Sequence, residues 1–113
     1  MFRRFLNGKI RDIRITNVDL EYEGSITLDE EYMEKAGILP NEEVHVLNVD
    51  TGTRLITYSI KGKRGSGIVA LNGPAARLGM VGDRIMVLSY ALLGPEDIPD
   101  HKPKIVSINR GNR

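Results

Sequence analysis

The chain has 113 residues, enough for one compact core and too few for two comfortable ones. Its 16 basic and 15 acidic residues leave a formal charge of +1, which argues against a strong field for nucleic acid or an anionic membrane. The absence of cysteine excludes disulfide scaffolds, thiol nucleophiles and cysteine-held metals.

The N-terminal stretch MFRRFLNGKIRDIRIT is basic but has no long apolar run behind it, so neither a secretory signal nor a membrane span is expected. Residues 1–113 read as a single cytoplasmic domain. Lys9 to Thr16 alternate as a strand with Ile10, Ile13 and Ile15 inward, and a slip near Asp12 suits a bulge. After NVDLEYEG, Asp29 is placed to cap a short helix that carries Tyr32, Met33 and Ala36 and ends at Gly37. The acidic LDEEYMEK run suits the first turn of that helix better than a catalytic carboxylate pair.

From Glu43 two alternating runs are joined by DTGT, and a third follows KGKRGSG, which together predict a hairpin continuing as a meander. KGKRGSG lacks the order and the Lys-Ser/Thr ending of a phosphate loop. PAARLG predicts a short turn or helix, and Arg84 to Leu92 an apolar strand. The tail is proline-rich, with one edge strand in KIVSI and a fraying end. Many short strands, one or two short helices and frequent glycine turns predict a mainly β chain closed into a small barrel.

The expected chemistry is narrow. His45 and His101 have no partner at metal-ligand spacing, so no metal site is expected. The terminal RGNR, in a chain with no tryptophan and 5% aromatic residues, does not make a nucleic-acid groove. The remaining polar groups at turns are Lys9, Tyr22, Gly24, Ser25, Arg54, Thr57, Tyr58, Asn72 and Gly73. Each has an ordinary structural role. YEGS alone reads as a turn, with Gly24 supplying a backbone conformation that other residues resist.

In combination, NGKI, YEGSITLDEEYMEKAGILPNE, TGTRLITYSI and RGSGIVALNGPAA resemble the pyruvoyl-dependent aspartate 1-decarboxylases, in register from about Met1 to roughly Ser89. The resemblance implies a small double-psi β-barrel, a homotetramer with active sites at subunit interfaces, and self-cleavage between Gly24 and Ser25 into chains 1–24 and 25–113. It implies a pyruvoyl group made from Ser25, with neither pyridoxal phosphate nor metal, whose ketone condenses with the amine of L-aspartate. β-Alanine for pantothenate and coenzyme A synthesis is the implied product.

By the same resemblance Tyr58 is the proton donor, Arg54 holds substrate carboxylate and Lys9 is a second cation near the substrate. Thr57 and Asn72 orient the reacting carbonyl groups, Gly73, Pro74 and Ala75 contact substrate through the backbone, and Tyr22 lines the pocket. Two positions depart from the pattern: Arg11 stands where some members carry histidine, and Pro74, which has no backbone N–H, where others carry alanine. Two other readings stay open: a non-catalytic barrel that binds a ligand or partner and never cleaves, and a pyruvoyl enzyme for another amino acid.

Overall fold

In the computed structural model, which describes residues 1–108, the helix is bounded as its caps dictate. The Asp29 carboxylate accepts the Glu31 amide at 2.8 Å to start α1 (Glu30–Ala36), and Gly37 ends it in the left-handed conformation at φ 69°. Glu30 and Glu31 occupy the first turn and Lys35 the last, matching the helix dipole. Glu30 pairs with Lys61 and Glu34 with Arg64, so the acidic run is spent on surface ion pairs.

Eight strands form the rest: β1 (Arg3–Arg14), β2 (Asn17–Asp19), β3 (Ser25–Asp29), β4 (Glu43–Asn48), β5 (Arg54–Gly62), β6 (Val69–Asn72), β7 (Arg84–Leu93) and β8 (Lys104–Ser107). They make one mixed sheet in the order β2-β6-β3-β5-β4-β7-β1-β8. The mainly β expectation holds, with α1 and a 3-10 turn over Gly73–Leu78 as the two short helical pieces. The bulge falls where the alternation slips: Asp12 takes φ 62° and the β1–β7 register shifts between Ile10 and Ile13.

β1 begins six residues before the alternation, because Arg3 to Leu6 pair with β7 without a consistent inward face. The exposed β2 carries no alternation and was not expected as a strand. The KIVSI edge strand is present as β8, parallel to β1. RGNR and the fraying end lie outside the described residues.

The meander is corrected. β4 and β5 do form a hairpin, but β6 pairs antiparallel with β3, and β5 takes β3 as its other neighbour in parallel. β6 therefore lies beyond β3 and leaves β5 without a third consecutive partner. The loop before β6 is drawn back by Asp29, whose carboxylate accepts the Gly65 amide at 3.1 Å and the Gly67 amide at 2.8 Å.

One core joins strands from distant places in the sheet. Ile10 and Ile13 of β1, Leu28 of β3, Val69 and Leu71 of β6 and Val87 of β7 belong to a single buried cluster. Strands second and seventh in the order can share that core only if the sheet is rolled. Burial of such branched side chains, each contributing about 1.5–3 kcal/mol, drives the roll. The Thr16 amide donates to the Val69 carbonyl at 2.8 Å and ties the end of β1 to β6.

Candidate active site around Ser25

The Asp19 side chain accepts the Glu21 amide at 3.0 Å, turning the chain after β2 and delivering residues 22–24 to the start of β3. Ser25 opens that strand fully buried, flanked by β6 and β5. Across the β3–β6 ladder it stands opposite Asn72, whose side-chain amide donates to the Ser25 hydroxyl at 2.9 Å. The same nitrogen donates to the Thr27 hydroxyl, also at 2.9 Å. Thr27 was not singled out in the sequence, although strand alternation places it on the face of Ser25 two residues on.

The backbone expectation at Gly24 is corrected. The unusual torsion belongs to Ser25, at φ 155°, whereas Gly24 does not have a positive φ. A non-glycine residue held in so sparse a region carries strain of about 1–3 kcal/mol. At Gly24 an added β-carbon would meet only Pro74 Cδ at 3.6 Å, an ordinary contact.

The glycine that geometry demands is Gly73, at φ 61°, where a β-carbon would lie 2.6 Å from the Tyr22 carbonyl oxygen and 2.9 Å from Gly24 Cα. Gly73 thus presses its backbone against residues 22–24. Pro74 follows at the start of the 3-10 turn, where its missing N–H costs nothing and its ring abuts Gly24.

Thr57, Pro74, Ala75 and Gly24 line one cavity of about 260 Å³ beside the Gly24–Ser25 bond. Tyr22, Thr27 and Asn72 line a second, of about 490 Å³, together with Lys61. Tyr58 comes alongside through the backbone: Ile26 pairs with Ser59 on β5, so the residue beside Ser25 is Tyr58, about one-third exposed. The chain therefore gathers Tyr22, Gly24, Ser25, Thr57, Asn72, Gly73, Pro74 and Ala75 at one place, while Tyr58, on the neighbouring strand, lines neither cavity.

Two further expected residues are not gathered there. Arg54 lies four residues before Tyr58, about 13 Å along an extended strand. It is exposed, and its guanidinium donates to His45 Nδ1 at 3.1 Å. Lys9 lies on β1 between β7 and β8 and lines neither of the two cavities. Among the described residues no group of three or more metal-ligating side chains occurs, and no helix is long and apolar enough to cross a membrane.

The aspartate decarboxylase family matches residues 1–113. An aspartate 1-decarboxylase of Carboxydothermus hydrogenoformans is 46% identical over all of this chain and 89% of its own length. That of Caldicellulosiruptor saccharolyticus is 50% identical over all of this chain and 88% of its own. That of Bacillus subtilis is 42% identical over all of this chain and 89% of its own. Among solved structures, the rationally designed protein mkDPBB_sym_86 overlays with a TM-score of 0.49 at 20% identity, covering 74% of this chain and 91% of that one.

Proposed function

The chain belongs to the aspartate decarboxylase family and converts L-aspartate to β-alanine and carbon dioxide, and we propose that it does so with a pyruvoyl group made from its own Ser25. The observation that carries this reading is Ser25 itself: buried, held at φ 155°, with its hydroxyl fixed by Asn72. Serine reaches the preceding carbonyl through its own side chain. Attack on the Gly24 carbonyl turns the amide into an ester, which is normally higher in energy. Release of the strain at residue 25 offsets part of that cost.

Elimination then frees a Gly24 carboxylate and leaves a dehydroalanine at position 25, which water converts to the pyruvoyl group with loss of ammonia. The chains would be 1–24 and 25–113. Once present, the group supplies a ketone electron sink for decarboxylation, as a cofactor does.

This chain's residues supply the rest. Asn72 directs an amide hydrogen at the Ser25 hydroxyl, the nucleophile of self-cleavage. Thr57 stands beside the cleaved bond to orient its carbonyl. Tyr58 is the proton donor to the carbon that has lost its carboxylate. The backbone at Gly73 and Ala75, with the Pro74 ring, and the Tyr22 side chain shape the walls for substrate.

Arg54 and Lys9 hold substrate carboxylate from a neighbouring subunit, since neither lines the cavities beside Ser25 of its own chain. Supporting that assembly, the face of β5 that bears Arg54 also exposes Ile56 at 59%. A homotetramer with shared sites, built from double-psi barrels, completes the reading.

The test is intact mass and a denaturing gel of purified protein, followed by borohydride trapping with aspartate. Two fragments and a trapped aspartate adduct are expected. A folded protein that stays one chain and traps nothing would instead be a non-catalytic barrel. Faster turnover of another amino acid in competition would reassign the substrate.

A further inference from the structure

We propose that Thr27 is a positioning residue for self-cleavage, acting through Asn72. This rests on the reading of Ser25 given above. The Asn72 side chain is 4% exposed and has two amide hydrogens; its nitrogen lies 2.9 Å from the Ser25 hydroxyl and 2.9 Å from the Thr27 hydroxyl. Both hydrogens are thereby taken, one by the reacting residue and one by Thr27.

The second bond satisfies the amide hydrogen that the first leaves over. A side-chain amide can turn over by half a rotation, exchanging nitrogen for oxygen at almost no steric cost. With Thr27 accepting, the amide sits with nitrogen toward residue 25. Without that acceptor, one N–H is buried with no partner, and the turned amide, whose oxygen accepts from Ser25, becomes the better arrangement. Ser25 then loses the donor that holds its hydroxyl for attack on the Gly24 carbonyl.

Thr27→Val keeps shape and strand preference while deleting the hydroxyl. Self-cleavage followed on a denaturing gel should slow by about tenfold. Thr27→Ser should restore the parent rate of cleavage. In the Asn72→Ala background, Thr27→Val should have no further effect, since the hydroxyl acts only through that amide.

Three results would overturn the proposal: cleavage of Thr27→Val at the parent rate, failure of Thr27→Ser to restore it, or the same slowing with and without Asn72. A parent chain that folds but never cleaves overturns the Ser25 reading and this one together. A parent that cleaves with an indifferent Thr27→Val overturns this one alone.

Discussion

A β-carbon on Gly73 would stand 2.6 Å from the carbonyl oxygen of Tyr22, inside any contact distance that real atoms adopt. Gly73→Ala must therefore push residues 22–24 away, and it also places alanine at φ 61°, at a cost of about 1–2 kcal/mol. The expected outcome is a folded chain, slightly less stable, that cleaves more than about tenfold slower, because small misplacements of reacting atoms cost that much. Gly24→Ala, facing only the Pro74 ring at 3.6 Å, should fold with unchanged stability. Thermal melts and a cleavage time course on both variants check the pair.

Arg54 and Tyr58 share a strand, and the proposed assembly would send them to different sites. If Arg54 acts on a neighbour's site and Tyr58 on its own, inactive variants should complement selectively. Co-expressed Arg54→Ala and Ser25→Ala chains should regain activity in about a quarter of their sites, those that take Ser25 from one chain and Arg54 from the next. Tyr58→Phe mixed with Ser25→Ala should regain none. Recovery in the second mixture, or none in the first, would reverse the assignment.

Asp29 is the anchor of the fold around the site. Its carboxylate accepts the amides of Glu31, Gly65 and Gly67, so it caps α1 and draws the loop before β6 onto β3 with one side chain. Hydrogen bonds to a charged acceptor are individually strong, and Asp29→Ala should cost about 3 kcal/mol or more. Urea denaturation at neutral pH measures it. Asp29→Asn, which keeps an acceptor oxygen but no charge, should fall between.

Elements specified by neighbours in sequence were legible: the Asp29 and Gly37 caps of α1, the DTGT hairpin and the Asp12 bulge each follow from residues within a turn of one another. The pairing of β6 with β3 was not, because ladder partners some 45 residues apart leave no mark on either strand's alternation. At the site, resemblance alone drew attention to Ser25, Tyr58, Arg54 and Asn72, whose side chains are ordinary in their local text. The unusual backbone conformation is expected at Gly24 because glycine is its usual carrier, whereas it falls on Ser25. Thr27 needed only strand alternation from Ser25, but its importance depends on Asn72.

Ser89 is fully buried on β7, and its hydroxyl has no partner among the described residues. A desolvated hydroxyl left unsatisfied costs about 1–3 kcal/mol, so Ser89→Ala should leave stability unchanged or raise it. Gly8 opposite would not tolerate an added β-carbon, which would clash with the Ala36 carbonyl oxygen. Comparing melting temperatures of Ser89→Ala and Gly8→Ala separates the two, with only the latter expected to drop.

Asp50 and Arg84 give stability a definite dependence on acid. The Arg84 backbone amide donates to Asp50 Oδ2 at 2.9 Å, and the guanidinium Nε and Nη2 reach Oδ1 at 3.2 and 3.0 Å. These bonds, the backbone amide first and the guanidinium second, hold the Asp50 carboxyl below its ordinary 3.8. A carboxyl lowered on folding contributes stability that is complete above its unfolded value and disappears as pH falls through the folded one. The melting temperature of the parent should therefore exceed that of Asp50→Asn by a constant gap at neutral and mildly acidic pH. Below 3.8 the gap should close, as both chains come to carry an uncharged group at the turn between β4 and β5. A gap that persisted into strong acid would assign the stabilisation to the shape of the turn and not to its charge.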